Sequence, residues 1–385
     1  MSDMNSGAQL PLEACPHCGE LVPPGRFCGN CGAHLIADAD AARARYHAYA
    51  AGPHEPVLRP AIVTTLFPHL PHRHTHLFRD VLAAGVVVIA LLCALRLFTS
   101  ATVAAAVLLP VLYLLYLYEV EVYERAPLLV VGATFGVGAA LGVAYALVVP
   151  VVVHPSVVVT AGSVLVSGVL LAAVAQLLML VGPLLLLRRV EFDETLDGLT
   201  FGVSSALGFT MTVIIAGYWH VLTSPLSGGS VVDVILGLLQ IGILGAFVNA
   251  ATTALITSAL WLRVHGHDRG RFHAAWHGLG AAALLAFVVQ IVLGVLQRVL
   301  TIEVSAVIAW AVAAAVALVA LRVVVHHALL DEGAERAIGP DSVCAECHHV
   351  VPTMLFCPVC GVARSAAPKR MSAASAPAAT AEAAP

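Results

Sequence analysis

Eight long apolar stretches crowd into residues 80–330, at about 80–98, 101–118, 127–149, 157–187, 199–220, 231–260, 273–297 and 304–326. Each is near or above the ~20 residues that an α-helix needs to cross the hydrocarbon of a bilayer. Only 20 charged residues lie between 80 and 330, most of them in the short gaps. The whole chain is 60% hydrophobic and 11% charged, against ~45–50% and ~25% in an ordinary soluble domain. No water-soluble fold can hide that much apolar surface. A soluble enzyme and a disordered chain are excluded. The formal net charge of −4 argues against an electrostatic grip on DNA or RNA, so no nucleic-acid partner is expected. The first partner implied is the lipid bilayer.

The stretches read as helices, because the strands of a membrane barrel alternate over roughly ten residues and these runs are continuous. The first two are separated only by Thr99-Ser100 and form either a tight hairpin or one broken helix. The stretches at 157–187 and 231–260 are overlong, so tilt or a kink is expected, with Gly182-Pro183 the natural site in the first. The first 79 residues are polar and show no secretory leader. Eight crossings put both ends on one side. That side carries Arg73, Arg79, Arg125, Arg188, Arg189, Arg263, Arg269, Arg271 and Arg322, and the other carries Arg96 and Arg298. The positive-inside rule then places both termini in the cytoplasm and the protein in the cytoplasmic membrane.

Eight of the nine cysteines fall into two sets of identical spacing. Cys15-x2-Cys18 and Cys28-x2-Cys31 are nine residues apart, and Cys344-x2-Cys347 and Cys357-x2-Cys360 repeat the pattern. Each CxxC loop offers two thiolates to one ion, and two loops complete a tetrahedral S4 site. Gly19, Gly32 and Gly361 follow the second cysteine of three of the loops. Glycine there permits the turn that aims backbone N–H groups at sulfur. Two structural zinc ions are the expectation, because cytoplasmic thiols stay reduced and four protein ligands leave no open position for catalysis. Disulfides and a redox-active CxxC pair are the competing readings. Both sets resemble the zinc ribbons found on many bacterial membrane proteins. Such ribbons serve as docking modules, so another membrane protein or a cytoplasmic partner is expected on them. Cys93 lies mid-span and reads as an ordinary buried thiol.

Histidines gather in two places. His69, His72, His74 and His76 precede the first span, and His265, His267, His273 and His277 line the gap before the seventh. They form either a metal-handling site or a basic belt near the headgroups. His154, His220 and Asp233 lie on the other side.

Two stretches carry a family resemblance. Tyr116-Leu-Tyr-Glu-Val-Glu-Val-Tyr-Glu124-Arg-Ala-Pro127 precedes a run with Gly132, Gly136 and Gly138. Arg188-Arg-Val-Glu-Phe192-Asp193-Glu-Thr-Leu196-Asp197-Gly198-Leu-Thr-Phe-Gly202 leads into Leu207-Gly208-Phe209. Together they resemble the PrsW-type intramembrane protease family over residues 80–330. The resemblance implies a helical membrane core, and for active members a Glu-Glu-x-x-Lys set, a Glu-Asn pair and two histidines. Here Ala175-Gln176 and Met179 stand at the first set, Val213-Ile214 at the pair, and Asn249 and Gln290 at the histidines. Residues 157–187 and 199–219 contain no Asp, Glu, Lys, Arg or His. Water cannot be activated for peptide hydrolysis without a general base or a metal. No catalytic residue is therefore assigned. Gln176, Gln240, Asn249 and Gln290 read as hydrogen-bonding glue between helices, or else as the lining of a relic polar cavity. The acids of 191–197 read as caps for the following helix, and Glu119, Glu121 and Glu124 as a solvated helix end.

The expected architecture is an all-α polytopic membrane protein of about eight transmembrane helices flanked by two small zinc-ribbon modules. Residues 1–36 form the N-terminal ribbon. Residues 37–79 form a His/Pro-rich linker that begins with a short Ala-rich helix over Ala37–Ala50 and continues extended through Pro53, Pro56, Pro60, Pro68 and Pro71. Residues 80–330 form the core, 331–362 the C-terminal ribbon and 363–385 a disordered tail. The function expected is that of a catalytically silent membrane scaffold, regulator or binding protein. A divergent active protease using His220, Asp233 or the His273/His277 pair is the alternative, and a metal-handling transporter or sensor is the second.

Overall fold

Helix length and apolarity decide the architecture. The computed structural model describes residues 11–16, 18–35, 49–52, 55–68, 76–120, 128–153, 159–189, 192, 194–217, 219, 231–265, 278–300, 303–331, 338–344 and 346–364. Among these, eight helices are long and apolar enough to cross a membrane, and the protein is a multi-pass membrane protein in contact with the bilayer. A short helix α1 (Ile62–Leu66) comes before them. The spanning helices are α2 (His76–Ala94), α3 (Phe98–Val120), α4 (Leu128–Val152), α5 (Ala161–Leu186), α6 (Thr195–Gly217), α7 (Val231–Gly237 continuing through Gly245–His265), α8 (Leu279–Val299) and α9 (Glu303–Asp331). Two antiparallel hairpins stand at the ends. In the first, β1 (Glu13–Ala14) pairs with β2 (Leu21–Val22); in the second, β3 (Gly339–Val343) pairs with β4 (Val350–Thr353).

The first two spans are a tight hairpin. The chain turns at Leu95–Leu97, ahead of the Thr99-Ser100 break expected, with Arg96 in the left-handed region at φ 58°. Leu97 donates to the Leu92 carbonyl at 2.8 Å to close the turn. Both overlong spans absorb their extra length in the same way. Residues Val164–Leu170 of α5 and Leu238–Leu244 of α7 wind as π-helix. A π-turn holds more residues per turn than an α-turn and is a recognised source of helix bending.

Helix α6 is the centre of the bundle. Every residue from Thr195 to Thr210 is buried, and the helix packs on α3, α4, α5 and α7. Without a hydrophobic drive between helices in lipid, close backbone approach supplies the contact. Gly208 lies against the Phe135 carbonyl of α4, and a Cβ at Gly202 would stand 3.0 Å from the Ala254 Cα of α7. The loop before α6 is fixed from both sides: the Trp261 indole donates to the Phe192 carbonyl at 3.0 Å, and the Asp197 carboxylate accepts from the Glu194 N–H at 3.2 Å. The second contact is the reciprocal half of a capping box, in line with the capping role expected of these acids.

The stretch expected to be an extended linker behaves differently where it is described. Tyr49, Val57, Leu66 and Phe67 are buried in the main core. Phe67 packs edge-on against Phe78 of α2 and Tyr116 of α3, with ring centroids 5.1 and 5.0 Å apart. Proline fixes the local backbone but does not stop apolar side chains from finding a partner. Of the Ala-rich helix expected over Ala37–Ala50, Tyr49 and Ala50 are described, and they form a bridge and a turn. Of the tail expected from 363, Ala363 and Arg364 are described: Ala363 pairs with Phe356, and the Arg364 N–H donates to the Leu355 carbonyl. The rest of both stretches lies outside the described residues.

Candidate metal centres and the polar core

The hairpins bring the eight ribbon cysteines into two tight groups: Cys15, Cys18, Cys28 and Cys31 in one, and Cys344, Cys347, Cys357 and Cys360 in the other. In the first, Cys15 Sγ lies 3.8 Å from Cys31 Sγ, and Cys18 Sγ lies 3.8 Å from Cys28 Sγ. In the second, Cys344–Cys360 and Cys347–Cys357 are 3.8 and 3.7 Å apart. A disulfide needs about 2.05 Å, and all eight thiols are free. Sulfurs at the corners of a tetrahedron of radius ~2.3 Å lie about 3.8 Å apart. The donor set and its dimensions therefore suit a tetrahedral thiolate-bound metal ion.

The loops achieve this with left-handed backbone. Gly19, Gly32 and Gly361 have φ of 78°, 67° and 78°, and His348 takes the fourth equivalent position at φ 59°. The N–H of each of these four residues donates to the carbonyl of the first cysteine of its loop, at 2.8–2.9 Å. Backbone N–H groups of the turns reach sulfur as expected: Cys31 donates to Cys28 Sγ at 3.4 Å, and Ala33 and Val362, which follow Gly32 and Gly361, donate to the sulfurs of Cys31 and Cys360. Hydrogen bonding from the Cys31 thiol pulls Cys28 down to about 5 against the opposing effect of burial, and the same bond drives Cys31 up. Thiol contacts from Cys357 and Cys360 lower Cys344, while Cys360 rises, and burial lifts Cys347 to about 11. Sulfurs this close cannot all ionise without a cation among them.

The two ribbons pack on each other with approximate two-fold symmetry. Each cysteine of the second set lies 329 positions after its counterpart in the first, and contacts recur in exchanged pairs at that offset. The Phe27 N–H donates to the Pro358 carbonyl at 3.0 Å, and the Phe356 N–H donates to the Gly29 carbonyl at 3.0 Å. Phe356 covers Gly32, and Phe27 covers Gly361. Pro358 presses on Gly25, and Met354 presses on Gly29. Met354 is thereby buried among the thiols of the first ribbon. The second ribbon is also tied to the membrane core, where the Ala363 N–H donates to the Ala50 carbonyl at 2.8 Å.

Beneath that contact lies a site that the sequence reading did not anticipate. Arg322 of α9 is fully buried. Its guanidinium donates to Glu55 Oε2 at 2.9 Å and to Thr64 Oγ1 at 2.6 Å, and sits 3.9 Å from the centre of the Tyr49 ring. One turn further on, His326 Nδ1 accepts from the Ala50 N–H at 3.2 Å. Burial alone would raise the Glu55 carboxyl. The hydrogen bond from Thr64 and the Arg322 charge outweigh it and hold Glu55 below its ordinary value of 4.5.

The membrane core gathers the polar residues singled out from the sequence. Gln176 donates to Thr253 Oγ1 at 3.3 Å and accepts from Thr252 at 3.1 Å. Gln290 donates to Asn249 Oδ1 at 2.8 Å and to Thr252 Oγ1 at 3.0 Å, and Asn249 donates to Thr210 Oγ1 at 2.8 Å. Met179 joins through its sulfur, 3.7 Å from Thr253 Oγ1, and Ala175 and Val213 pack against an apolar cluster of Met179, Ala206 and Phe209. Gln240 stands apart from this network. It donates to Gln297 Oε1 at 2.7 Å, which also accepts from Trp310. The side chains of His69, His72, His74, His76, His265, His267, His273 and His277 lie outside the described residues, as do those of His154, His220 and Asp233.

No protein-family model matches the chain, and neither a curated protein nor a solved structure matches it.

Proposed function

We propose that the chain is a catalytically silent relative of the PrsW-type proteases. In this reading it is a scaffold or binding protein of the cytoplasmic membrane, with both termini in the cytoplasm and one structural zinc ion in each ribbon. The observation that carries the reading is the buried network of Gln176, Met179, Asn249 and Gln290. These are positions at which the resemblance expects a carboxylate, an amine and two imidazoles. They are scattered over more than a hundred residues of sequence, yet they meet. That convergence supports the resemblance. What fills the positions supports silence, because amides and a thioether neither take nor deliver the proton that peptide hydrolysis requires. An ionisable group at the centre of a spanning helix costs at least ~2.5–3.5 kcal/mol. Replacing such groups by mutually bonded amides removes that cost together with the chemistry.

Zinc in Cys15, Cys18, Cys28 and Cys31, and in Cys344, Cys347, Cys357 and Cys360, is supported by four-thiolate sets with tetrahedral spacing. A closed set of four protein ligands leaves no position for a substrate, so these ions would hold the ribbons folded. The orientation rests on the arginine asymmetry of the loops. A second membrane protein, or a cytoplasmic partner on the ribbons, is the partner class this design serves.

The test uses purified full-length protein in detergent micelles, offered reporter substrates with a transmembrane helix and analysed for metals. No cleavage and two zinc ions per chain are expected. Cleavage that is lost on substitution of one residue would overturn the silent reading. A zinc content above two would bring forward the metal-handling role of the histidines.

A further inference from the structure

We infer that the ribbon pair is a metal-dependent clasp: metal in the first ribbon fixes the seating of the second, and through it the packing of Tyr49, Ala50, Glu55 and Thr64 on α9. The inference rests on the metal reading above and adds coupling between the two sites. A continuous line of contacts carries it. The loop holding Cys28 and Cys31 presents the Gly29 carbonyl to the Phe356 N–H, and presents Gly32 to the Phe356 ring. Phe356 is buried in the same cluster as Tyr49 and Ala50. The Ala50 carbonyl accepts from Ala363, the Ala50 N–H donates to His326, and the Tyr49 ring lies under Arg322.

The two-state element is the ribbon itself. A module this small owes its fold to its metal. Without the metal, the left-handed loop that positions Gly29 and Gly32 has no reason to persist, and Phe356 and Met354 lose the surface that covers them. Linkage makes the effect reciprocal: if metal strengthens the pairing, the pairing must strengthen metal binding by the same factor. The approximate two-fold symmetry extends this to both ions. The correspondence runs on through His34 and Ala363, which pair with Phe27 and Phe356, and Ala363 also joins the second ribbon to the core.

The experiment follows transfer of zinc from full-length protein in micelles to a chromogenic chelator, together with hydrogen exchange of the Ala50 N–H. Gly25→Val leaves all eight thiols in place, but its Cβ would stand 2.6 Å from the Pro358 carbonyl oxygen and part the ribbons. In the unaltered protein the two ions are expected to leave in one phase. In Gly25→Val the first ion is expected to leave about tenfold faster, and the Ala50 amide to exchange faster. Cys357→Ser, which empties the second set, should speed loss from the first to the same extent. If Gly25→Val does not retain two ions, Phe27→Ala, which uncovers Gly361 without adding atoms, takes its place with the same readouts. Two ions leaving independently, at rates that none of these variants changes, would overturn the coupling and leave the zinc reading standing. Fewer than two ions in the unaltered protein would overturn both.

Discussion

Arg322 is where the stretch holding Tyr49, Glu55 and Thr64 is fastened to the membrane core. In the sequence it counts as one flanking charge among nine. Its role is hidden there because its partner, Glu55, is 267 residues away in a stretch that reads as linker. The pair is enclosed on the arginine side and one-fifth exposed on the glutamate side. Removing the carboxylate leaves a buried cation unmatched. Glu55→Gln is expected to cost up to about 3 kcal/mol, the low end for a broken buried pair because water reaches Glu55. Differential scanning fluorimetry in micelles would measure it. The pH dependence has a definite sign. The folded-state pKa of Glu55 lies below its ordinary value, so its contribution is fully present above about 4.5 and is lost as pH falls through the lower, folded value. Glu55→Gln should flatten that acid slope. Tyr49 gives a complementary prediction. Its hydroxyl is buried without a hydrogen-bond partner among the described residues, while its ring faces Arg322. Tyr49→Phe keeps the ring and removes an unsatisfied group, so it should be neutral or stabilising by up to about 1 kcal/mol. Tyr49→Ala should weaken the assembly, and the same melting assay separates the two.

The elements were more legible than the contacts between them. Span number and approximate limits follow from apolar length, which the bilayer dictates and no tertiary contact can override. The paired spacing of the cysteines announced two S4 sets, because a tetrahedron of sulfurs needs two short loops whatever surrounds them. The seating of one ribbon on the other left fainter traces. A phenylalanine precedes the third cysteine in both repeats and a glycine follows the fourth, and neither position is needed for ligation. The π-helical turns left no trace at all, since the overlong apolar runs fit tilt or a kink equally well. The glycines of α4 and α6 divide sharply by role, which gives a test at this scale. Gly208 faces the Phe135 carbonyl at contact distance, while among the described residues nothing stands within 4 Å of a Cβ at Gly136. Gly208→Val should destabilise by about 1–3 kcal/mol, and Gly136→Ala should be tolerated. Thermal denaturation of the two variants in the same detergent decides it.

For the whole molecule, the pairing of the ribbons and an even number of crossings are two views of one constraint. Ends that touch must emerge on the same face. A reporter enzyme active on only one side of the membrane should therefore give the same result fused before residue 1 or after residue 385. Opposite results would mean an odd number of crossings and would break the pairing. The meeting of Gln176, Met179, Asn249 and Gln290 belongs to this scale as well. Each alone is an amide or a thioether in an apolar run, and only the bundle makes them a group. Ribosomes deliver the chain in order, so Phe27 exists long before Phe356. At ordinary elongation rates that interval is on the order of tens of seconds, spanning insertion of every helix. Throughout it the first ribbon has nothing to close upon. The finished pair thus reports that the last helix has been made and threaded, and a truncated nascent chain would betray itself by an uncovered leading end.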